Sequence, residues 1–230
     1  MAHILITSGP TREYLDPVRY LTNASSGRMG RALAQAAIAL GHQVTIVSGP
    51  VNLQYPREAE VIPVVSTGEM LAAARDAFRR CDGLIGAAAP CDYGPLRVAT
   101  SKIAKTGQPL VLNLVEMPDV VATLGTEKQS HQWVVGFALE MDDPRFRALT
   151  KLERKKCDLI VLNGPRAIDS ENNEVEILDR KGQVAGTFAG SKEQVACDIL
   201  KVIEDRLIRP GLSRGPNRRT TINPPSRGGA

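Results

Sequence analysis

Between Gly9 and Gly30 the chain reads GPTREYLDPVRYLTNASSGRMG. Arginines, the Asn23 carboxamide and the paired hydroxyls of Ser25 and Ser26 are set there among glycines and prolines. Small and polar residues at a helix start leave backbone N–H groups free to face an anion, so this loop reads as a phosphate or carboxylate cradle. Asn23 alone could equally be a turn residue, and the two serines could simply cap the following helix. Further along, Lys102 and Lys105 lie in a loop flanked by Gly and Pro, where most lysines are only solvated. Lys151 and Lys155 are four apart on one predicted helix face, which with Arg154 and Lys156 also fits a solvated charged face. Asp92 follows a strand and either holds a ligand or caps a turn. Phe137 lies in an apolar run and fits a core position. Taken together, these lysines, arginines and an aspartate suit a nucleoside triphosphate with its magnesium ion.

The elements that must bring them together are legible from periodicity. Apolar, β-branched runs recur at Ile4–Thr7, Val44–Ser48, Val61–Val65, Leu84–Ala88, Val134–Ala138 and Leu159–Leu162, as expected of strands buried on both faces of a parallel sheet. Met29, Leu33, Ala37 and Leu40 follow helical spacing, with Gly41 as the stop. Ser66 and Glu69 form a capping-box signal for a helix through Met70, Ala74 and Phe78. Asp119–Leu124, Arg145–Lys156 and Lys192–Leu207 are further helix candidates. Alternating strands and helices predict an α/β fold, a doubly wound, mostly parallel Rossmann-like sheet. Pro109–Val115 reads as an added edge strand and Glu174–Phe188 as a hairpin turning at Asp179–Gly182. Open edges invite pairing, so a homodimer through that hairpin and strand is expected. Ligands in such sheets bind beyond the carboxyl ends of the strands, where the loops holding Asn23, Asp92, Lys102 and Phe137 would meet.

Composition narrows the classes. The chain has 230 residues, of which 43% are hydrophobic and 23% charged, values ordinary for a globular domain. No apolar run reaches the ~18 residues of a membrane span, and no secretory signal opens the chain, so a cytoplasmic location is expected. The net charge is +4, yet residues 209–230 alone carry five arginines and no acid. The remaining body is therefore at −1, which argues against nucleic-acid binding. That tail is rich in Gly, Pro, Ser and Arg and is expected to be disordered, giving a nucleotide-binding body at 1–208 and a basic tail at 209–230. Cys81, Cys91, Cys157 and Cys197 form no C-x-x-C pair, and His3, His42 and His131 share no metal-ligand spacing. Buried thiols are expected at Cys81, Cys157 and Cys197, with Cys91 left open because of its loop.

Two other classes compete with a triphosphate-using enzyme. A nicotinamide-dependent oxidoreductase needs G-x-G-x-x-G joining strand and helix tightly, whereas Gly27 and Gly30 supply only G-x-x-G after a long excursion. A non-catalytic nucleotide-binding partner of a flavoprotein is the other.

The stretches ITSGPTREYLDPVRYLTNASSGRMG, GAAAPCDY, Lys102–Lys105, MPDVVA, VGFALE and KLERKKCDLIVLN occur in an order that closely resembles phosphopantothenate–cysteine ligase, over roughly residues 3–207. In many bacteria that unit is fused behind a flavin-dependent decarboxylase, and the chain resembles the ligase unit alone, without flavin and with the decarboxylase supplied separately. The resemblance implies a reaction in coenzyme A biosynthesis. CTP, with Mg²⁺, activates the carboxylate of 4′-phosphopantothenate as an acyl-cytidylate, and L-cysteine then displaces CMP. It implies that Lys102 and Asn23 are catalytic. It also implies nucleotide contacts at Ala87, Ala88, Asp92, Lys102, Pro118, Asp119, Val120, Val121, Phe137, Lys151 and Lys155, with Asp92 a candidate Mg²⁺ neighbour. Arg19, Asn23, Ser25, Ser26 and Gly27 would hold the acid substrate, Arg19 by a bidentate grip. The chain departs from the family pattern at Ala104, at Cys91, at Gly94-Pro95 and at Leu162–Pro165, which bears on rate and nucleotide preference.

Overall fold

A computed structural model describes residues 1–139, 142–163 and 172–210. In chain order the strands are β1 (His3–Ser8), β2 (Arg12–Tyr14), β3 (Tyr20–Thr22), β4 (Gln43–Ser48), β5 (Glu60–Pro63), β6 (Gly83–Gly86), β7 (Tyr93–Pro95), β8 (Leu114–Glu116), β9 (Trp133–Leu139), β10 (Leu159–Asn163), β11 (Asn172–Asp179) and β12 (Val184–Ser191). The helices are α1 (Arg28–Ala39), α2 (Thr67–Phe78), α3 (Val120–Glu127), α4 (Pro144–Arg154) and α5 (Lys192–Ile203), the last continuing into a π-type turn at Glu204–Ile208.

Eight strands form one sheet in the order β12-β11-β10-β9-β6-β1-β4-β5. The six from β10 to β5 are parallel, and β11 and β12 are antiparallel additions at one edge. All four residues of β6, and all but the first of β1 and of β4, are buried, which is why these segments read as unbroken apolar runs. Successive side chains point to opposite faces. Ile4 and Ile6 therefore join α1 and α5 in one core with Leu33, Ala37, Val195 and Ile199. Leu5 joins α2, α3 and α4 in the other with Met70, Ala74, Leu124 and Leu152. The predicted capping box is present: Ser66 Oγ accepts from the Glu69 N–H at 3.2 Å, while Glu69 reaches back to the Val65 N–H at 2.7 Å.

Several expectations need correction. The Pro109–Val115 segment does not add to the sheet edge. Only Leu114–Glu116 is extended there, and it pairs with β7 as a separate two-stranded ribbon. The run after β1 is not a plain loop but contains the β2–β3 hairpin. Neither serine caps α1: its cap is Gly27 with φ 72°, and among the described residues no side chain accepts from the helix start. Cys81, Cys91 and Cys157 are buried, but Cys197 is exposed, because it shares the solvent stripe of α5 with Glu193, Gln194 and Lys201. The basic tail from residue 211 onward lies outside the described residues.

Candidate functional site

β1 lies between β4 and β6, and the chain leaves β1 toward α1 on one face and leaves β6 toward α3 on the other. A crevice opens where neighbouring strands send their connections to opposite faces. Here the two loops are stitched together. The Ala89 N–H donates to Gly9 O at 2.9 Å, and Pro10 bridges Ala89. Asn23 Nδ2 donates to Pro90 O at 2.8 Å and to Ala89 O at 3.3 Å. The Cys91 N–H donates to Thr11 Oγ1 at 2.8 Å. Asn23 thus holds the loop after β6 against the loop after β1.

The close seat of α1 on the end of β1 depends on Gly30, where a Cβ would meet Ser8 Oγ at 2.1 Å. With Gly27 uncapped, the first N–H groups of α1 face a cleft of about 220 Å³. Ser25, Ser26 and Gly27 line it on one side, and Ala87, Ala88 and Phe137 on the other, with Asn163, Asn173 and Lys192 completing it. Phe137 belongs both to this lining and to the margin of the core. The small Ala87 and Ala88 keep the backbone after β6 open to a ligand.

The lysine loop is held elsewhere. Asp16 is fully buried, and its Oδ1 accepts from the N–H groups of Val18 and Arg19, both at 2.8 Å. Its Oδ2 accepts from Arg19 Nη1 at 2.6 Å and from the Ile103 N–H at 3.1 Å. Arg19 Nη1 also donates to Ile103 O at 3.0 Å. Both backbone groups of the residue after Lys102 are therefore clamped by the Asp16–Arg19 pair. Burial alone would raise the Asp16 carboxyl, but the Ile103, Val18 and Arg19 N–H groups and the Arg19 guanidinium outweigh it and hold it far below the usual carboxylate range. Arg19 does not reach the Ser25–Gly27 cleft. It lines a second cleft of about 420 Å³ with Ile103–Leu110. Lys102 itself is exposed.

A third group sits on α3 and α4. Asp119 caps α3, accepting from the Ala122 N–H at 3.0 Å, and pairs with Lys155 at 3.0 Å and Arg154 at 3.6 Å. Burial would raise its carboxyl, but the Ala122 N–H and the two cations carry it below the ordinary value. Asp119 thus both caps α3 and holds Lys155. Pro118 precedes this cap, Val120 is in the core, and Val121 packs within 2.5 Å of where a Cβ on Gly86 would stand. Lys151 is half-buried on α4, and Asp92 is exposed with its carboxylate unbonded among the described residues.

The fold therefore brings Ser25, Ser26, Gly27, Ala87, Ala88 and Phe137 into one cleft, with Asn23 pinned at the loop crossing. Arg19, Asp92, Lys102, Pro118, Asp119, Val120, Val121, Lys151 and Lys155 lie outside that lining. Asp16, Asn173 and Lys192 were not picked out in the sequence. Asp16 carried only the Asp-Pro signature of a turn.

Comparisons with known proteins agree with this architecture. The family model described as the DNA/pantothenate metabolism flavoprotein C-terminal domain matches residues 1–207. The Vibrio vulnificus (strain YJ016) coenzyme A biosynthesis bifunctional protein CoaBC is 41% identical over 207 residues, covering 87% of this chain and 51% of its own length. A cysteine/cysteine sulfinic acid decarboxylase from an unknown prokaryotic organism is 43% identical over 205 residues, covering 87% and 57%. The chain spans about half the length of the curated relatives it matches. The crystal structure of the C-terminal domain of a CoaBC protein superposes with a TM-score of 0.77 at 37% identity, covering 90% of this chain and 96% of that one. A family model spanning residues 1–207, with relatives 41–43% identical over that same segment, fixes the family: this chain belongs to the DNA/pantothenate metabolism flavoprotein C-terminal domain family.

Proposed function

We propose that the chain is a ligase that joins 4′-phosphopantothenate to L-cysteine through an acyl-cytidylate. The observation that carries the reading is the cleft itself. The uncapped start of α1, Ser25–Gly27, Ala87–Ala88 and Phe137 meet there, at the rim where this class of sheet binds ligands. In the first step a carboxylate oxygen of the acid attacks the α-phosphorus of CTP, and pyrophosphate leaves. In the second the cysteine amine attacks the acyl carbon, CMP leaves, and the amine proton is lost as the amide forms.

Bringing a carboxylate to a polyphosphate sets like charges together, so cations must offset them in the transition state. Lys102, fixed through Ile103, supplies one, and Lys151 and Lys155 on α4 supply others. Mg²⁺ is carried mainly by substrate phosphates, and the unbonded carboxylate of Asp92 is the oxygen at hand for it. When bound, it neutralises phosphate charge. Asn23 serves the second step by turning its amide toward the forming oxyanion, giving up the longer of its two bonds, at 3.3 Å to Ala89 O. A homodimer belongs to this reading, but the exposed apolar side chains favour a different surface from the β11–β12 hairpin. Leu96, Val98, Leu110 and Val111 are 57–81% exposed around β7 and β8, while β12 exposes Val184 as its large apolar residue.

The test incubates the purified chain with phosphopantothenate, cysteine, Mg²⁺ and either CTP or ATP, and follows pyrophosphate. Release with CTP is expected. Asn23→Ala should accumulate acyl-nucleotide and Lys102→Gln should fail to make it. No release with either nucleotide refutes the ligase reading, and equal trapped intermediate in both variants refutes the two roles.

A further inference from the structure

A ring of buried hydrogen bonds stands behind the loop that Asn23 grips. The Cys91 N–H donates to Thr11 Oγ1 at 2.8 Å, the Thr11 and Thr67 hydroxyls lie 2.8 Å apart, and the Thr67 hydroxyl donates to Cys91 O at 3.4 Å. Each hydroxyl has a single proton. Thr67 gives its proton to Cys91 O, so Thr11 donates to Thr67 and the ring closes with every donor used. Both threonines are fully buried and Cys91 is 5% exposed; a buried network with every member satisfied holds one geometry. The residue before β2, the first residue of α2 and the loop after β6 supply its members. Glu13 locks the first two together: its Oε1 accepts from the Thr67 N–H at 2.8 Å, beside the Arg12 N–H to Val65 O bond at 2.8 Å.

The ring reaches Asn23 through one peptide unit. Pro90 O, the nearer acceptor of Asn23 Nδ2 at 2.8 Å, and the Cys91 N–H belong to the same planar group. Its C=O and N–H point in opposite directions, so Thr11 holds one side of the plane and Asn23 is attached to the other. Proline fixes φ at residue 90, which leaves its ψ as the rotation that swings this plane. The bond from Cys91 to Thr11 stops that rotation. Pro90 O is also the partner Asn23 keeps when it turns away from Ala89 O, so the plane aims the carboxamide. Because the ring uses only the backbone of residue 91, the departure from the family pattern at Cys91 leaves it intact.

We infer that Thr11 and Thr67 are positioning residues for Asn23, setting the direction of its carboxamide for the second, amide-forming step. This assignment rests on the ligase reading for the identity of that step. The Asp16–Arg19 pair holds both backbone groups of Ile103, beside Lys102. The threonine pair holds both backbone groups of Cys91, beside the acceptor of Asn23. Each half-reaction therefore has its own clamp, and substitutions should separate them.

Rapid-quench turnover of the intact chain with CTP, Mg²⁺, phosphopantothenate and cysteine separates pyrophosphate release from CMP release. Amide hydrogen exchange at Cys91, without substrates, reads the ring apart from turnover. Thr11→Val keeps the side-chain shape and deletes the acceptor of the Cys91 N–H. CMP release should fall about fivefold to tenfold, with the first turnover of pyrophosphate within about twofold of wild type and acyl-nucleotide accumulating. Exchange at Cys91 should accelerate by a similar factor. Thr11→Ser, which keeps the hydroxyl, should restore CMP release. Thr67→Val breaks the ring on its other side, should give the same pattern, and decides the matter if Thr11→Val does not fold. Pyrophosphate and CMP release falling together in both variants would mark the threonines as structural only and overturn the inference. So would unchanged CMP release or unchanged exchange at Cys91. A wild-type chain that never releases pyrophosphate overturns the ligase reading and the step assigned here, whereas the exchange result still decides whether the ring holds the Pro90–Cys91 peptide.

Discussion

Asp16→Asn separates two tasks that one carboxylate performs. Oδ1 closes its own turn by accepting from Val18 and Arg19, and an asparagine oxygen can keep both bonds. Oδ2 reaches across to the Ile103 N–H and the Arg19 guanidinium, and the substituted NH₂ would set a donor against two donors. The turn should survive while the lysine loop is released. A hydrogen bond to a charged group is worth more than tenfold in an equilibrium; losing the Ile103 N–H bond outright, and with it the Oδ2 contact that aims Arg19 at Ile103 O, opens the loop by roughly 10²-fold. Displacing a catalytic group by about 1 Å costs a similar factor in rate. Pyrophosphate release should therefore fall by about 10²-fold, with less change in KM for the acid, whose cleft does not contain Asp16. Tryptic cleavage after Lys102 and Lys105 should accelerate in the absence of substrates. The depressed carboxyl of Asp16 means its hold is complete above its unfolded value near 3.9 and is lost only as pH falls through the lower folded value. Wild-type cleavage should then be insensitive to this group across about pH 5 to 8. Unchanged proteolysis and unchanged turnover in Asp16→Asn would refute the clamp.

Thiol labelling of the folded chain near pH 8 should modify Cys197 and spare the rest: burial pushes Cys81 and Cys157 up to about 12 and raises Cys91 as well. Fast labelling of two or more cysteines before unfolding would contradict this. Asp119→Ala removes the α3 cap at a cost of about 1 kcal/mol, a fall of about 2–4 °C in a domain of this size, and frees Lys155. Because the Asp119 carboxyl is held below its ordinary value, that stability gap exists above about pH 4 and should close as pH falls through the folded value. A gap that persists undiminished at about pH 2 would show that the cap bond is not its cause.

The central sheet was readable because its strands are buried on both faces. The runs at Ile4–Thr7 and Leu84–Ala88 had no polar alternation to confuse them, and each sits where β1 and β6 are found. The hairpin was readable from its turn: the Lys181 N–H donates to Asp179 Oδ1 at 2.8 Å, and Gly182 adopts φ 73°. Pro109–Val115 misled because β-branched composition signals an extended backbone without naming a partner, and β8 found β7 instead of the sheet. Cys197 misled because thiols are usually buried, while the helical stripe of α5 places it outward.

The site was harder to read for a reason of distance. Anion-binding composition is local, so the Ser25–Gly27 turn announced itself. The bonds that give it a function are not local: Asp16 to Ile103 spans 87 positions and Asn23 to Pro90 spans 67. A parallel sheet makes such meetings routine, because it sets the carboxyl ends of strands far apart in sequence side by side on one rim. The same geometry divides the work. Residues at strand ends, such as Asn163 and Phe137, are fixed by the ladder and suit recognition of shape. Lys102 lies on a segment with little regular structure, whose neighbour Ile103 is clamped from the Asp16–Arg19 turn, and so suits a group that must be held in position to meet the reacting phosphates. A substitution at a strand end should therefore act on ligand binding in the cleft, and one in the Asp16–Arg19 clamp on how fast the acid is activated.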